Sequence, residues 1–179
     1  MSQTIARRYA RAVFELGREN GSLGALVGEF SRFAEAYAAS EELRELDHLP
    51  SLTDATRRAV LADLGKRLGA SEVAVNTLSL LADRQRLSLL PDVAALLLEM
   101  SDEHEGVVRA TIRSAKQLTP AYVNRLVERI RATTGKKVLI TTEVDPALIA
   151  GVVAQIGDRV IDGTIRGRLD RLSASLRQN

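Results

Sequence analysis

Few residues in this chain are of types that carry chemistry, and their spacing limits what they can do. Gly135-Lys136-Lys137 is the nearest approach to a phosphate-binding loop. Such a loop needs a strand before it and a helix N-terminus after it, because the first free amides of the helix hold the anion. Here an alternating pattern follows the lysines instead, so the segment reads as a helix terminator with solvated cations. Glu41-Glu42 and Asp102-Glu103-Glu105 are carboxylates adjacent in sequence, and nothing near them provides the desolvation that acid–base work requires. His48 and His104 lack a partner pattern and are too few for a histidine metal site. Zero Cys removes thiolate zinc sites, disulfides and cysteine nucleophiles. The G-x-x-x-x-G-K-[ST], G-x-G-x-x-G, H-E-x-x-H and G-x-S-x-G patterns are absent. The sequence therefore assigns no catalytic, cofactor-binding or metal-binding residue, and it points away from an enzyme.

The elements around these residues belong to a globular protein. The 179 residues are 45% hydrophobic and 27% charged, with 12 Gly and 4 Pro, a balance that excludes both disorder and a disulfide scaffold. No apolar run approaches the roughly 20 residues of a membrane span, and Met1-Ser2-Gln3 leads straight into an amphipathic pattern without a signal-peptide core. The net charge of +2 hides an asymmetry: residues 1–105 carry 12 basic and 17 acidic side chains, net −5, and residues 106–179 carry 13 and 6, net +7. Two halves of opposite sign are expected of two domains that either meet different partners or attract each other. Five of the six aromatics fall within the first 37 residues.

The first half reads as six helices. One runs from Ser2 to Glu19 and stops at Asn20-Gly21. Ser22 caps a second, in which Leu23, Leu26, Val27, Phe30, Phe33, Ala34 and Tyr37 recur at three-and-four spacing. A short third spans Ser40 to Leu46. Thr53 caps a fourth, with Val60, Leu61, Leu64 and Leu68 inward and Gly69 past its end. Ser71 opens a fifth that runs to Arg84, and a sixth covers Ser88 to His104 with Pro91 in its first turn.

After Gly106 the period changes to alternation. Val108, Ala110 and Ile112 face one way. Thr119-Pro120 starts a helix carrying Val123, Leu126, Val127 and Ile130, and Lys137 to Val144 forms a second strand with Val138, Ile140 and Val144 on one face. Gly151–Ile156 and Arg159–Ile165 flank the turn pair Gly157-Asp158, and a last helix spans Arg166 to Arg177. The expected architecture is mainly α: a six-helix bundle over residues 1–105, then a small α/β domain over 106–179 of strand, helix, strand, hairpin and helix.

Two helices carry more apolar surface than one core contact requires. At 100° per residue, the apolar side chains of the first helix, from Ala12 through Tyr9 to Phe14, cover an arc of about 200°, and those of the fifth about 220°. Such helices either face a core and a partner at once or are buried on two sides. The cations of the second half, among them Arg109, Arg113, Arg125, Arg129, Arg166 and Arg168, could instead attract nucleic acid, although only Tyr122 is available there to stack on a base. An RNA-binding adaptor is the alternative reading.

Three stretches resemble a known family. They are Ile5 to Leu16, Asn76 to Leu87, and Gly157 to Leu169, which includes Asp162-Gly163-Thr164-Ile165-Arg166-Gly167-Arg168-Leu169. In order and over the whole chain they are similar to the delta subunit of bacterial F-type ATP synthases, related to the mitochondrial oligomycin-sensitivity-conferring protein. Many members have a Gly pair where this chain has Ala150-Gly151. The resemblance implies a non-catalytic stator with no cofactor, present once per complex. Its helical domain would hold the N-terminal helix of an alpha subunit against the first and fifth helices, through Tyr9, Ala12, Val13, Phe14, Leu80 and Arg84. Its second domain would meet the b subunits of the peripheral stalk, and Gly157, Asp162, Gly163, Arg166, Gly167 and Arg168 would be its structural motif. It also implies a place on the cytoplasmic face of the bacterial inner membrane, reached only through the complex, and no nucleic-acid partner.

Overall fold

A computed structural model describes residues 2–46, 52–146, 148, 152–156 and 159–162. The chain divides into two compact units, Met1–Ser101 and Asp102–Asn179.

The first unit is helical. Helix α1 spans Ser2–Glu19, α2 Leu23–Ala39, α3 Glu41–Glu45, α4 Asp54–Leu68 and α5 Glu72–Asp83. A single 3₁₀ turn, Leu87–Leu89, then leads into α6, Leu90–Glu105, so the sixth helix begins two residues later than its pattern implies. Caps set several of these boundaries. The Ser40, Thr53 and Ser71 side-chain oxygens accept hydrogen bonds from the Leu43, Thr56 and Ala74 amides, satisfying donors that the first helical turn leaves free. Ser22 sits at the N-cap of α2 without such a bond. Gly69 closes α4 in the left-handed conformation at φ 62°, which lets the Ala70 amide reach back 2.9 Å to the Gly65 carbonyl.

Phe33 and Tyr37 of α2, Leu43 of α3, Leu61 and Leu64 of α4, Leu78 of α5 and Leu90 of α6 converge in one core, which Ala6, Ala10 and Val13 of α1 join. Close helix contacts shape it. A Cβ on Gly17 would come within 3.0 Å of Leu23 and Leu26, and one on Gly65 would collide with the Val75 γ-methyl. In α4 the inward row differs from the expected one. Val60 is exposed, and Arg57 occupies an inward position instead, only 6% exposed. Its Nε donates to the Leu46 carbonyl at 2.9 Å and its NH1 to Asp54 at 2.9 Å, so the buried guanidinium has a backbone and a carboxylate acceptor.

The second unit takes in the last turn of α6, where Asp102 accepts from Arg109 Nε and NH2 at 2.6 and 3.0 Å. Strand β1 is Val107–Ser114, α7 Pro120–Thr134, β2 Lys137–Val144, β3 Val152–Ile156 and β4 Arg159–Asp162. The sheet order is β2-β1-β3-β4; β1 pairs parallel with β2 and antiparallel with β3, and β3 pairs antiparallel with β4. Ala110 and Ile112 are buried on one face of β1, where Val108 and Ala110 pair in register with Val138 and Ile140 of β2 and Ile112 pairs with Thr142. Val144 shares their parity but is exposed at the end of an edge strand. Gly135 ends α7 at φ 67°, a backbone that side chains with a Cβ rarely adopt. Ile156 pairs with Arg159, so β3 and β4 are joined across two residues as a hairpin requires. The expected helix over 166–177 lies outside the described residues.

Candidate functional site

The surplus apolar surface on α1 and α5 forms a second stripe on each helix. On α1 the buried row is Ala6, Ala10, Val13 and Gly17. About 100° around the axis lies another row at the same spacing, Ile5, Tyr9, Ala12 and Leu16. Ile5 and Tyr9 are half-buried, Ala12 is exposed, and Leu16 is 43% exposed. On α5 the buried row is Ala74, Leu78, Leu81 and Ala82. Beside it run Val73, Thr77, Leu80 and Arg84, with Leu80 47% exposed. The Thr77 hydroxyl donates 2.8 Å back to the Val73 carbonyl, so the polar group within this row is already satisfied. The fold therefore covers one side of each wide arc and leaves the other partly open.

The expected contact residues separate accordingly. Tyr9 and Ala12 lie together on the outer row of α1, and Leu80 and Arg84 together on that of α5. Val13 departs from the expectation: it is 1% exposed within the core, so it supports the stripe from beneath and offers a partner almost no surface. Phe14 is half-buried on the far side of the buried row, about 140° from Tyr9. Ile5 and Leu16, which belong to the same outer row, complete it. Their signal was the four-and-seven spacing from Tyr9 and Ala12.

Two hydrogen-bond arrangements hold α5 in position. Ser71, at its N-cap, donates 2.7 Å to Glu29 of α2, a carboxylate only 7% exposed. Arg58 of α4 grips Asp83 in the last turn with Nε and NH2 at 3.0 and 2.7 Å. The Arg58 hydrogen bond is the main cause that holds the Asp83 carboxyl below its ordinary value, and the same bond raises Arg58. Neither Glu29 nor Arg58 was marked by a sequence pattern.

In the second unit, two of the cations suited to attract phosphates are engaged. Arg109 is paired with Asp102, and Arg113 lies 3.7 Å from Glu143 and donates to Gln155. Tyr122 is exposed beside Arg125 and Arg129 on α7, whose apolar row is only half-buried. Asp162 pairs with Val153 through its backbone in β4. Gly157, Gly163, Arg166, Gly167 and Arg168 lie outside the described residues. Among the described residues no group of three or more His, Cys, Asp or Glu could hold a metal ion, and no helix is long and apolar enough to cross a membrane.

The described chain is thus a helical module with partly open apolar rows on two helices, followed by a small mixed sheet. Comparison with known proteins gives this chain a family. The family model for the ATP synthase delta (OSCP) subunit matches residues 5–176. The ATP synthase subunit delta of Geotalea uraniireducens is 34% identical over 177 residues, covering 99% of this chain and 98% of that one. That of Paracoccus denitrificans is 36% identical over 178 residues, with 99% and 95% covered, and that of Myxococcus xanthus is 36% identical over 177 residues, with 98% and 97% covered. A chain in the cryo-EM structure of the Toxoplasma gondii mitochondrial ATP synthase hexamer shares the fold, with a TM-score of 0.75 at 20% identity over 96% of both chains. The chain belongs to the ATP synthase delta (OSCP) subunit family.

Proposed function

We propose that this protein is the non-catalytic stator adaptor of an F-type ATP synthase, joining the catalytic head to the peripheral stalk at the membrane-bound complex. Its partners are other subunits of that complex. In this reading the helical unit holds an amphipathic helix, the N-terminal segment of an alpha subunit, along the outer rows of α1 and α5. The second unit engages the b subunits, and the protein works on the cytoplasmic face of the membrane. The observation that carries the reading is the pair of open rows, Ile5-Tyr9-Ala12-Leu16 and Val73-Thr77-Leu80-Arg84, on helices whose core faces are already filled. An exposed apolar row beside a packed core is the usual seat for a helix supplied by another chain.

The mechanical role follows from the complex. A rotor turning inside the head drags the head with it unless a fixed element resists, so the adaptor's contacts must dissociate slowly under load. Buried apolar anchors supply that slow release better than rim charges do.

Calorimetric titration of the full chain with the alpha-subunit N-terminal peptide tests this reading. Saturable binding that Tyr9→Ala weakens and Leu80→Asp abolishes, with helical content unchanged, supports it. Absence of binding by the folded wild type refutes it.

A further inference from the structure

Exposed arginines lie on or next to the two helices that carry the open rows: Arg8 flanks the α1 row, Arg7 and Arg11 sit farther around that helix, and Arg84 follows the end of α5. Arg7, Arg8 and Arg11 of α1 are exposed, and none makes an ion pair or hydrogen bond among the described residues. Arg18, by contrast, is clasped by Glu15 at 2.6 Å. Arg84, the C-cap residue of α5, is also exposed and its side chain makes no ion pair or hydrogen bond among the described residues, although its charge acts on the neighbouring Asp83. Arg8 falls about 40° around the axis from Ala12, at the border of the α1 row, and Arg84 continues the Val73-Thr77-Leu80 row at its C-terminal end. These cations belong to a unit that still carries a slight net negative charge, 14 acidic against 12 basic side chains over residues 1–101. The acids of this stretch thus leave the arginines beside the apolar rows unneutralised.

We propose that the segment seated on these rows is an acidic amphipathic helix whose carboxylates meet Arg8 and Arg84, with Arg11 adding to the field that draws it in. This rests on the stator reading and specifies the chemistry of its partner. A guanidinium fork matches a carboxylate in two hydrogen bonds, so Arg8 and Arg84 fix the register of a helix that apolar contacts alone would let slide. The charge pattern favours a helix over an anionic membrane or a nucleic acid. An extended anionic surface spans more than the screening length of about 8–10 Å and meets the net negative unit as a whole. A single helix meets only the local arginines.

The test uses the full chain and the alpha-subunit N-terminal peptide, followed by stopped-flow mixing and equilibrium titration between about 0.01 M and about 1 M salt, where the screening length falls from about 30 Å to about 3 Å. The association rate should fall about tenfold or more across that range. Arg8→Gln and Arg84→Gln should each weaken binding about two- to fivefold at low salt, flatten the salt dependence and merge with the wild type at high salt. Arg8→Lys should restore the salt dependence but not the full affinity. Leu80→Asp, in contrast, should abolish binding at every salt concentration. Binding that is independent of salt and of both arginines overturns this proposal and leaves the stator reading standing. Failure of the folded wild type to bind the peptide overturns both. Retention on phosphatidylglycerol vesicles that Arg8→Gln abolishes, with peptide binding unchanged, assigns the arginines to lipid and overturns the proposal.

Discussion

The Ser71 hydroxyl donates a 2.7 Å hydrogen bond to Glu29 while its oxygen accepts from the Ala74 amide, so one small side chain ties α2 to the first turn of α5. A buried carboxylate placed at a helix N-terminus also meets the positive end of the helix dipole. This contact fixes the start of the helix that presents Leu80.

Ser71→Ala removes the cap and strips Glu29 of its one hydrogen-bond partner among the described residues. Loss of the cap costs about 1 kcal/mol, and leaving the carboxylate unsatisfied costs about 1–3 kcal/mol more. Ser71→Thr keeps the hydroxyl and should stay within about 0.5 kcal/mol of the wild type. Urea unfolding followed by far-UV circular dichroism distinguishes the two.

Gly65→Ala exchanges a gain for a clash. Alanine improves helix propensity by about 1 kcal/mol, but its Cβ would strike the Val75 γ-methyl across the α4–α5 contact. Overpacking of this kind costs about 1–3 kcal/mol, so net destabilisation is expected. Val75→Ala in the same chain should recover most of the loss. Two such changes with additive, independent effects would contradict the contact.

Gln85 holds φ at 52° just beyond α5, in the left-handed region that side chains with a Cβ seldom occupy. The bend lets the Gln85 and Arg86 amides reach the Ala82 and Leu81 carbonyls at 2.9 and 2.8 Å. Glycine adopts this backbone without the strain, so Gln85→Gly should stabilise the unit by about 1 kcal/mol. A rise in the urea midpoint with an unchanged slope is the expected readout.

Acid should loosen the α4–α5 clasp. Asp83 is held below its ordinary value in the fold by the Arg58 hydrogen bond, so it contributes stability that is complete above its unfolded value near about 3.9. That contribution fades as pH falls through the folded value. Arg58→Gln should remove this part of the acid dependence by lowering stability slightly at pH 7, the small loss expected of an exposed pair, and leaving it unchanged in acid, where Asp83 is protonated in both proteins. Parallel urea titrations of both proteins at neutral and acid pH measure the difference.

What the sequence made legible follows from where the physical signal is local. The ends of α1, the Thr53 and Ser71 caps and the turn glycines Gly69 and Gly135 are short-range events, and they fall where the residue types predict. Strand β2 matches its alternation from Lys137 to Val144. The departures depend on neighbours distant in the chain. Arg57 takes an inward position because the Leu46 carbonyl is within reach of its guanidinium, which turns Val60 to the rim. Glu29 is buried because the start of α5 lies against it, 42 residues along the chain. The outer rows of α1 and α5 were visible as wide arcs, but only side-chain exposure separates Val13 from Tyr9 and Leu80.

The strand order β2-β1-β3-β4 has a consequence for the growing chain. β1 is the first strand to be synthesised, yet it ends up in the interior of the sheet with a neighbour on each side. Its parallel partner starts at Lys137 and its antiparallel partner at Val152, so both of its backbone edges stay unmatched until the ribosome has moved well past them. The six helices before it close mainly through contacts local in sequence and can settle first. Translation thus separates the two halves in time, and the half that completes last is the one whose exposed strand most needs protection in the interval.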